Sequence, residues 1–313
     1  MKRVLVTGAA GFVGKHAMES LLTEGYTVFG FDTHQPPPSE ISKHATYHYG
    51  DLCDKEIAEN VIASSRPDIV YHFAGVVKSK DPADLYHANV AGTVTLLEAI
   101  QRQGLRPTIL IASSSSVYGA TSSKKQITER SNVHPVTHYG ASKAAQELVA
   151  RQYFLSTRLP ILFARTFNLI GPGQPLGLAC SDFAHQIAMA EADRNRRTVT
   201  TGNLYTRRDF IDVRDAVQAY ALIVKSGRPG LAYNVCSEKP VSIGECLKIL
   251  LKMAKVPLTA VKDTTRMHRD EVPFQVGSSA RLRRLTAWKT KIPLRQSLED
   301  LLEYWRGEVE SPE

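Results

Sequence analysis

The sequence predicts an α/β fold in which a parallel sheet is covered by helices on both faces. From residue 1 to about 165, short β-branched runs alternate with longer segments whose apolar residues recur every three or four positions. Regular alternation of this kind, with strands apolar enough to be buried, is typical of a doubly wound sheet. A glycine-rich turn from Gly8 to Gly14 lies between the first strand segment and the first helical one. This turn is also typical of that fold class.

The elements follow one another in a regular order in the first half of the chain. The predicted strands are Arg3 to Thr7, Thr27 to Asp32, Thr46 to Tyr49, Ile69 to Phe73, Thr108 to Ser113 and Ile161 to Arg165. The predicted helices between them are Gly11 to Glu24, Lys55 to Ser65, Tyr86 to Gln103 and Tyr139 to Thr157. After about residue 166 the pattern loosens. Helices are predicted there at Asp182 to about Arg194, Val213 to Ser226 and Ile243 to Met253, and strands at Arg208 to Asp212 and Tyr233 to Val235.

This change of pattern predicts two parts, a first domain of residues 1–165 and a smaller C-terminal lobe of residues 166–313. Residues 203–235 are sheet-like and apolar, so they are predicted to return to the first domain. A chain of 313 residues is long enough to bury a core without disulfide bonds. The four cysteines lack CxxC spacing, which predicts free thiols and no metal site.

Composition excludes several classes of protein. With 43% hydrophobic and 22% charged residues the chain is neither collagen-like nor disordered. Uncharged apolar stretches, such as Ile109 to Ala112, are far shorter than the roughly 20 residues of a membrane span. The net charge of +8 suits a small polyanion, and the basic clusters lack interleaved aromatics, so no nucleic-acid partner is expected. The N-terminal strand follows Met1 without an apolar signal region, which predicts a cytoplasmic protein.

The glycine turn predicts a dinucleotide site. Gly8, Gly11 and Gly14 let the turn close and let backbone amides approach a pyrophosphate. Phe12 and Val13 belong to the helix start, whose positive end favours an anion. Asp32 ends the second strand about 20 residues later, where a carboxylate accepts both adenosine ribose hydroxyls. Because that carboxylate repels a 2′-phosphate and no arginine follows it directly, NAD(H) is predicted rather than NADP(H).

A second group of residues predicts acid–base chemistry. Tyr139 and Lys143 have i, i+4 spacing and therefore share one face of a helix. A neighbouring ammonium is expected to lower the phenol pKa from about 10 toward the working range. Four serines, Ser113 to Ser116, end the fifth strand at the carboxyl edge where doubly wound folds bind ligands. Their hydroxyls are expected to hydrogen-bond a substrate oxygen.

With these residues in view, the chain resembles the extended short-chain dehydrogenase/reductase family of nucleotide-sugar enzymes over nearly its whole length. Besides the glycine motif and the Tyr139 and Lys143 pair, the resemblance rests on Gly50 to Leu52, His72 to Gly75, Ser113 to Gly119, Arg165 to Asn168 and Arg207 to Val213. It implies that residues 1–165 form an NAD-binding Rossmann domain. It also implies that residues 166–313 form a nucleotide-sugar-binding lobe.

The resemblance also assigns individual roles. The implied catalytic residues are Ser114, Tyr139 and Lys143, of which Lys143 also holds the nicotinamide ribose. The implied cofactor-binding residues, besides the glycine motif and Asp32, are Asp51 and Leu52 at adenine, Phe73, Ala74 and Gly75 along the channel, and Tyr139 and Lys143. The implied substrate-binding residues are Ser114, Ser115, Asn168, Arg208 and Arg269. Arginine suits the diphosphate because a guanidinium pairs with phosphate bidentately.

Three chemistries of the family compete: 4,6-dehydration, 4-epimerisation and 4-keto reduction. Dehydratases of the family carry an acid two residues before the Val-Tyr-Gly tyrosine, and this chain has Ser116 there. A hydroxyl of ordinary pKa cannot supply that acid–base step, which disfavours dehydration. The second half, including Arg165 to Gln174 and Tyr233 to Ser237, resembles GDP-4-keto-6-deoxy-D-mannose reductases, which form GDP-rhamnose. The resemblance therefore implies NAD(H)-dependent reduction of the C4 keto group of a nucleotide-linked 4-keto-6-deoxy sugar.

Two alternatives stay open. A nucleotide-sugar 4-epimerase uses the same three catalytic residues with tightly held NAD, and Asp32 favours it somewhat. A non-catalytic nucleotide sensor on the same fold is the other alternative, although it needs none of Ser114, Tyr139 and Lys143. Relatives dimerise through the helices that correspond to Tyr86 to Gln103 and Tyr139 to Thr157. A homodimer is therefore expected.

Overall fold

The computed structural model describes residues 1–34, 44–120, 125–193, 195–266 and 272–310. Its strands are β1 (Arg3–Thr7), β2 (Thr27–Asp32), β3 (Thr46–Tyr49), β4 (Ile69–His72), β5 (Thr108–Ser114), β6 (Ile161–Thr166), β7 (Asn168–Ile170), β8 (Thr198–Thr201), β9 (Arg207–Asp212), β10 (Ala232–Val235), β11 (Pro240–Ser242), β12 (Thr259–Lys262) and β13 (Phe274–Gln275). Its helices are α1 (Phe12–Thr23), α2 (Lys55–Ser65), α3 (Pro82–Tyr86), α4 (Gly92–Arg102), α5 (His138–Thr157), α6 (Ala179–Ala192), α7 (Val213–Ser226), α8 (Ile243–Met253), α9 (Ala280–Thr286) and α10 (Leu294–Glu310).

A seven-stranded sheet forms the centre of the molecule, in the order β10-β6-β5-β4-β1-β2-β3. All of its neighbouring strands pair in parallel. Side chains of α1 and α7 pack on one face of the sheet, and those of α2, α4 and α5 pack on the other. The predicted class, an α/β protein with a doubly wound parallel sheet, is confirmed. Because the strand order reverses between β1 and β4, the carboxyl ends of these two strands flank the crevice where such folds bind ligands.

The helix predicted over Tyr86 to Gln103 differs from the observed one. The structure has the short helix α3, a π-helical turn at His87–Ala91 and then α4. The wider turn places the Asn89 side chain between two other segments, where its Oδ1 accepts from Val76 N at 2.8 Å and its Nδ2 donates to Ser142 Oγ at 2.8 Å. In a regular α-helix the Asn89 side chain would point in a different direction. The bulge thus ties the loop after β4 to α5.

The first turn of α5 is fixed by its cap. Thr137 Oγ1 accepts the Gly140 N–H at 3.0 Å, and the helix begins at His138. Gly140 is also in close contact with the serine turn, since a Cβ there would lie 2.5 Å from Ser116 O. Cap and close packing together bring the start of α5 against the end of β5.

The C-terminal lobe has its own apolar core, made by α6, α8 and α10. One small sheet has the order β11-β9-β13 with β7 beside β9, and β8 pairs with β12. Segment 203–235 is divided between the two parts, because β9 lies in this small sheet whereas α7 packs on α1 and β10 forms the edge of the seven-stranded sheet. The division into domains at residue 165 stays a prediction.

Two further expectations concern membranes and cysteines. Within the described residues, no helix combines the length and the apolar character needed to cross a membrane. The cysteines at positions 53, 180, 236 and 246 are free thiols, and the last three are buried.

Candidate active site

The glycine turn sits tightly against the segment that follows β4. Gly8 has a φ of +73°, and a Cβ there would lie 2.6 Å from Ala74 N. A Cβ on Gly14 would lie 2.0 Å from Gly8 O. Only glycine fits these two positions, because the contacts are with backbone atoms that have nowhere to move. The turn and the segment Phe73–Gly75 therefore form one continuous wall at the crevice.

The start of α1 suits a diphosphate. Its N-cap residue, Gly11, provides no side-chain hydrogen bond to the first helical turn, which Phe12 and Val13 open. Uncapped N–H groups at the positive end of a helix favour an anion. This bare helix start, beside the tight glycine turn, fits the pyrophosphate of a dinucleotide.

Asp32 is held at the end of β2 next to the glycine turn. Its Oδ2 accepts from Ala10 N at 2.9 Å and its Oδ1 accepts from His34 N at 3.1 Å. The carboxylate is 13% exposed and keeps a fixed orientation. A bound adenosine ribose at this strand end would meet two acceptor oxygens.

Asp51 and Leu52 follow β3 with opposite environments. Asp51 is exposed and its Oδ1 accepts from Cys53 N at 2.8 Å, whereas Leu52 is buried in the core. The carboxylate of Asp51, Cys53 Sγ and a His87 ring nitrogen lie within 4.8 Å of one another, a spacing that a metal ion would tolerate. That no metal binds the protein stays a prediction.

The structure brings Ser114, Tyr139 and Lys143 together. Ser114 is the last residue of β5, and its hydroxyl hydrogen-bonds the Tyr139 phenol and accepts from Ser116 N at 3.1 Å. Lys143 is buried one turn further along α5. A Cβ on Gly75 would lie 3.8 Å from its Nζ, so the ammonium adjoins the cofactor wall.

The pKa values of this group differ from expectation. Burial raises the pKa of Tyr139, and the hydrogen bond with Ser114 offsets only part of this effect. The predicted lowering of the Tyr139 pKa by Lys143 is therefore wrong. Burial also lowers the pKa of Lys143 to about 8, and its Nζ donates to Gln146 Oε1 at 2.7 Å rather than to the phenol. For the phenol, desolvation outweighs the hydrogen bond with Ser114.

The substrate residues predicted from the sequence are divided between the two parts, because Ser114 and Ser115 lie at the end of β5 whereas Asn168 and Arg208 lie in the small sheet of the lobe. Asn168 on β7 donates to Asp209 O at 3.1 Å, and Arg208 lies on β9 in register with Gln275 of β13. The Ser115 hydroxyl is buried and donates to Gln275 Oε1 at 3.2 Å, so it already has a protein partner. Arg269 lies outside the described residues.

Comparison with known proteins identifies the family. Residues 4–236 match the family described as NAD dependent epimerase/dehydratase. The chain belongs to this family. Among its relatives, a GDP-6-deoxy-D-mannose reductase from Pseudomonas aeruginosa is 34% identical, with 98% of each chain covered. The resemblance to extended short-chain dehydrogenases/reductases and the expectation of an enzyme are confirmed.

Two solved structures are similar to this chain over nearly its whole length. The structure of RMD from Pseudomonas aeruginosa complexed with NADPH has a TM-score of 0.86 and 33% identity, covering 98% of this chain and 100% of that one. A Thermus thermophilus UDP-glucose 4-epimerase in complex with NAD has a TM-score of 0.88 and 27% identity, covering 97% and 99%. Both forms of the dinucleotide thus occur among relatives, and NAD(P) dependence is what they share.

Two side chains beside the site, Glu147 and Gln275, were not predicted from the sequence. Glu147 forms a buried ion pair with Arg165, and Gln275 forms the two hydrogen bonds with Ser115. The spacing of Glu147, four residues after Lys143, was an available signal. Gln275 carried no such signal, since its partner lies 160 residues away.

Proposed function

We propose that the protein reduces the C4 keto group of a nucleotide-linked 4-keto-6-deoxy sugar, namely GDP-4-keto-6-deoxy-D-mannose, with NADH. The hydrogen-bonded pair of Ser114 and Tyr139 at the carboxyl end of β5 carries this proposal. The 34% identity with a reductase of that name over nearly the whole chain supports it. When bound, the dinucleotide supplies the hydride.

The protein side chains then bind and protonate the carbonyl oxygen. The Ser114 hydroxyl hydrogen-bonds that oxygen, and Tyr139 donates its proton as the alkoxide forms. Because burial raises the pKa of Tyr139, the phenol stays protonated near neutral pH, which is the form that reduction requires. Arg208 and Asn168 are proposed to hold the substrate diphosphate from the lobe.

The experiment that tests this proposal measures cofactor consumption. A reductase consumes NADH in proportion to product, whereas an epimerase returns the hydride to the sugar and consumes none. We expect one NADH to be lost per molecule of GDP-4-keto-6-deoxyhexose reduced, and none with UDP-glucose. Interconversion of UDP-glucose and UDP-galactose without added cofactor would overturn the proposal in favour of the 4-epimerase, the second candidate, which Asp32 favours because it suits retained NAD.

We propose that Asp32 makes this chain prefer NADH. Two charge-assisted hydrogen bonds to ribose hydroxyls contribute about 1.5–3 kcal/mol each, and the same carboxylate repels a 2′-phosphate. Asp32→Ala is therefore expected to reduce the NADH-to-NADPH affinity ratio by about tenfold or more in fluorescence titrations.

The matched control for this prediction is Asp51→Ala. Asp51 is proposed to contact adenine, which both cofactors share, so this variant should leave the affinity ratio unchanged. Equal affinity of the unmodified protein for NADH and NADPH would contradict the role of Asp32.

We propose that the protein is a cytoplasmic homodimer that associates through α4 and α5. Leu148 and Leu155 are 70% and 59% exposed and lie two turns apart on α5, so they share one face. Four free cysteines suit a reducing compartment. Sedimentation should give twice the chain mass of 34.6 kDa, and Leu148→Glu with Leu155→Glu should give one chain mass. A monomeric unmodified protein at micromolar concentration would contradict the dimer.

A further inference from the structure

A third functional group continues the face of α5 that carries Tyr139 and Lys143. Glu147 stands one further turn along this helix and is buried. Its Oε1 accepts from Arg165 Nε at 2.8 Å, and its Oε2 accepts from Arg165 Nη2 at 2.6 Å. Both side chains of this pair are only 7% exposed. A bidentate pair of this kind has a strict geometry.

Glu147 also reaches the strand that carries Ser114. The Ser113 hydroxyl donates to Glu147 Oε1 at 2.5 Å, and Ser113 directly precedes Ser114 in β5. Arg165 lies in β6 in register with Ser113. One carboxylate thus joins the helix that carries Tyr139 and Lys143 to the strand end that carries their partner.

The pair with Arg165 is anchored on its far side as well. Arg165 Nη1 donates to Tyr118 Oη at 3.1 Å, and Tyr118 Oη donates to Asn234 Oδ1 at 2.7 Å. Asn234 in β10 in turn donates to Ile127 O at 3.0 Å. The guanidinium therefore has little freedom to follow Glu147 if α5 rotates.

The charge of Glu147 matters because Lys143 is buried. Burial lowers the pKa of Lys143 to about 8, and the Glu147 carboxylate acts in the opposite direction. On β4, His72 stays neutral near pH 7, because burial and Lys143 lower its pKa to about 3. Of the groups around the ammonium, Tyr139 is a neutral phenol and Arg165 is positive, which leaves Glu147 as the negative group acting on Lys143.

We propose that Glu147 is a positioning residue that locks Lys143 and Tyr139 against Ser114 through its contacts with Arg165 and Ser113. Gln146 contacts the Lys143 ammonium directly. Glu147 instead acts through its hydrogen bonds with Arg165 and Ser113 and through its negative charge. This inference rests on the proposed role of Lys143 in holding the dinucleotide.

The test measures NADH affinity against pH, together with kcat and KM for the keto sugar, in Glu147→Gln. Removing the carboxylate lowers the Lys143 pKa further, so the ammonium loses its charge at lower pH. We expect the decline in NADH affinity above pH 8 to move down by about one pH unit, and kcat to fall by about tenfold or more with KM nearly unchanged.

Two companion variants guard against a fold defect. Glu147→Gln with Arg165→Met removes both charges, which buried pairs tolerate better than the loss of one partner. It should keep the thermal midpoint near that of the unmodified protein and shift the pH profile in the same direction, but by less than Glu147→Gln does, because the positive charge of Arg165 is lost as well. Glu98→Gln is the matched control, because Glu98 accepts a hydrogen bond from Tyr153 on the same helix away from the site. It should leave the profile in place.

An unshifted profile in a folded Glu147 variant, or the same shift in Glu98→Gln, overturns the inference. Failure of the proposed function gives a different result. If the unmodified protein does not reduce the keto sugar while the NADH profile still shifts in Glu147→Gln, the reductase proposal fails and the positioning role stands.

Discussion

Tyr139→Phe is expected to lower kcat by about 10² to 10⁴ and to leave NADH affinity within about twofold of its original value. The variant loses the proton that reduction must deliver, together with the hydrogen bond to the Ser114 hydroxyl. The ring itself stays, so the packing at the start of α5 is preserved. Steady-state rates with the keto sugar and fluorescence titrations with NADH measure the two effects separately.

Tyr153→Phe provides the control for that result. Tyr153 lies on the same helix, and its hydroxyl donates to Glu98 away from Ser114, so the same atom is removed without touching the site. Its kcat should stay within about threefold of the original. If Tyr139→Phe retained a similar rate, Tyr139 would not be the proton donor.

Lys143→Met is expected to damage binding and turnover together. The buried ammonium is proposed to hold the nicotinamide ribose and would then contribute to both, so we expect about tenfold weaker NADH binding and about 10² slower turnover. The pH dependence is the more telling measurement. Burial lowers the pKa of Lys143 to about 8, so the side chain is charged below that pH and neutral above it. NADH affinity of the unmodified protein should therefore fall as the pH rises through about 8.

In Lys143→Met this dependence should disappear, leaving weak binding that is flat across the same range. Lys225→Met, at an exposed lysine near the end of α7, should retain both the affinity and the pH dependence. Strong NADH binding by Lys143→Met, or affinity of the unmodified protein that does not change through pH 8, would contradict the assignment.

Much of the first domain was predictable because its signals are local. The bounds of β1, β2, β3 and α2 agree with those predicted from apolar runs and helical spacing. Helix α2 also has a strong start signal, since Asp54 accepts hydrogen bonds from Glu56 N and Ile57 N. Such features depend on neighbours in sequence, which a reader of the sequence can see.

Several elements of the lobe were not predicted, because long-range pairing supports them. Strand β12 is exposed along its whole length, so it has no apolar alternation to reveal it, and it exists through its pairing with β8. Strand β13 has two residues and depends on β9 in the same way. Helix α10 is different, since Leu298, Leu301 and Leu302 are buried at helical spacing and could have been recognised.

The site shows the same division between local and long-range information. Spacing was sufficient to predict that Tyr139 and Lys143 share a face, but the degree of burial decides the pKa of the phenol, and burial depends on the tertiary structure. The ion pair of Glu147 with Arg165 joins α5 to β6 across 18 residues. Nothing in the sequence marks Glu147 and Arg165 as a pair. Their proximity follows from the position of β6 beside β5 in the folded sheet.

The path of the chain limits how this protein can be recombined with a relative. A chimera that takes every residue after β6 from another enzyme replaces α7 and β10 as well as the lobe, although β10 pairs with β6 and α7 packs on α1. Leu282 of α9 and Trp288 also pack in the core on this face of the seven-stranded sheet. Crossovers that exchange residues 167–212, 236–279 and 289–310 therefore leave α7, β10 and α9 with their native sheet, and the lobe is transferable as three segments rather than one.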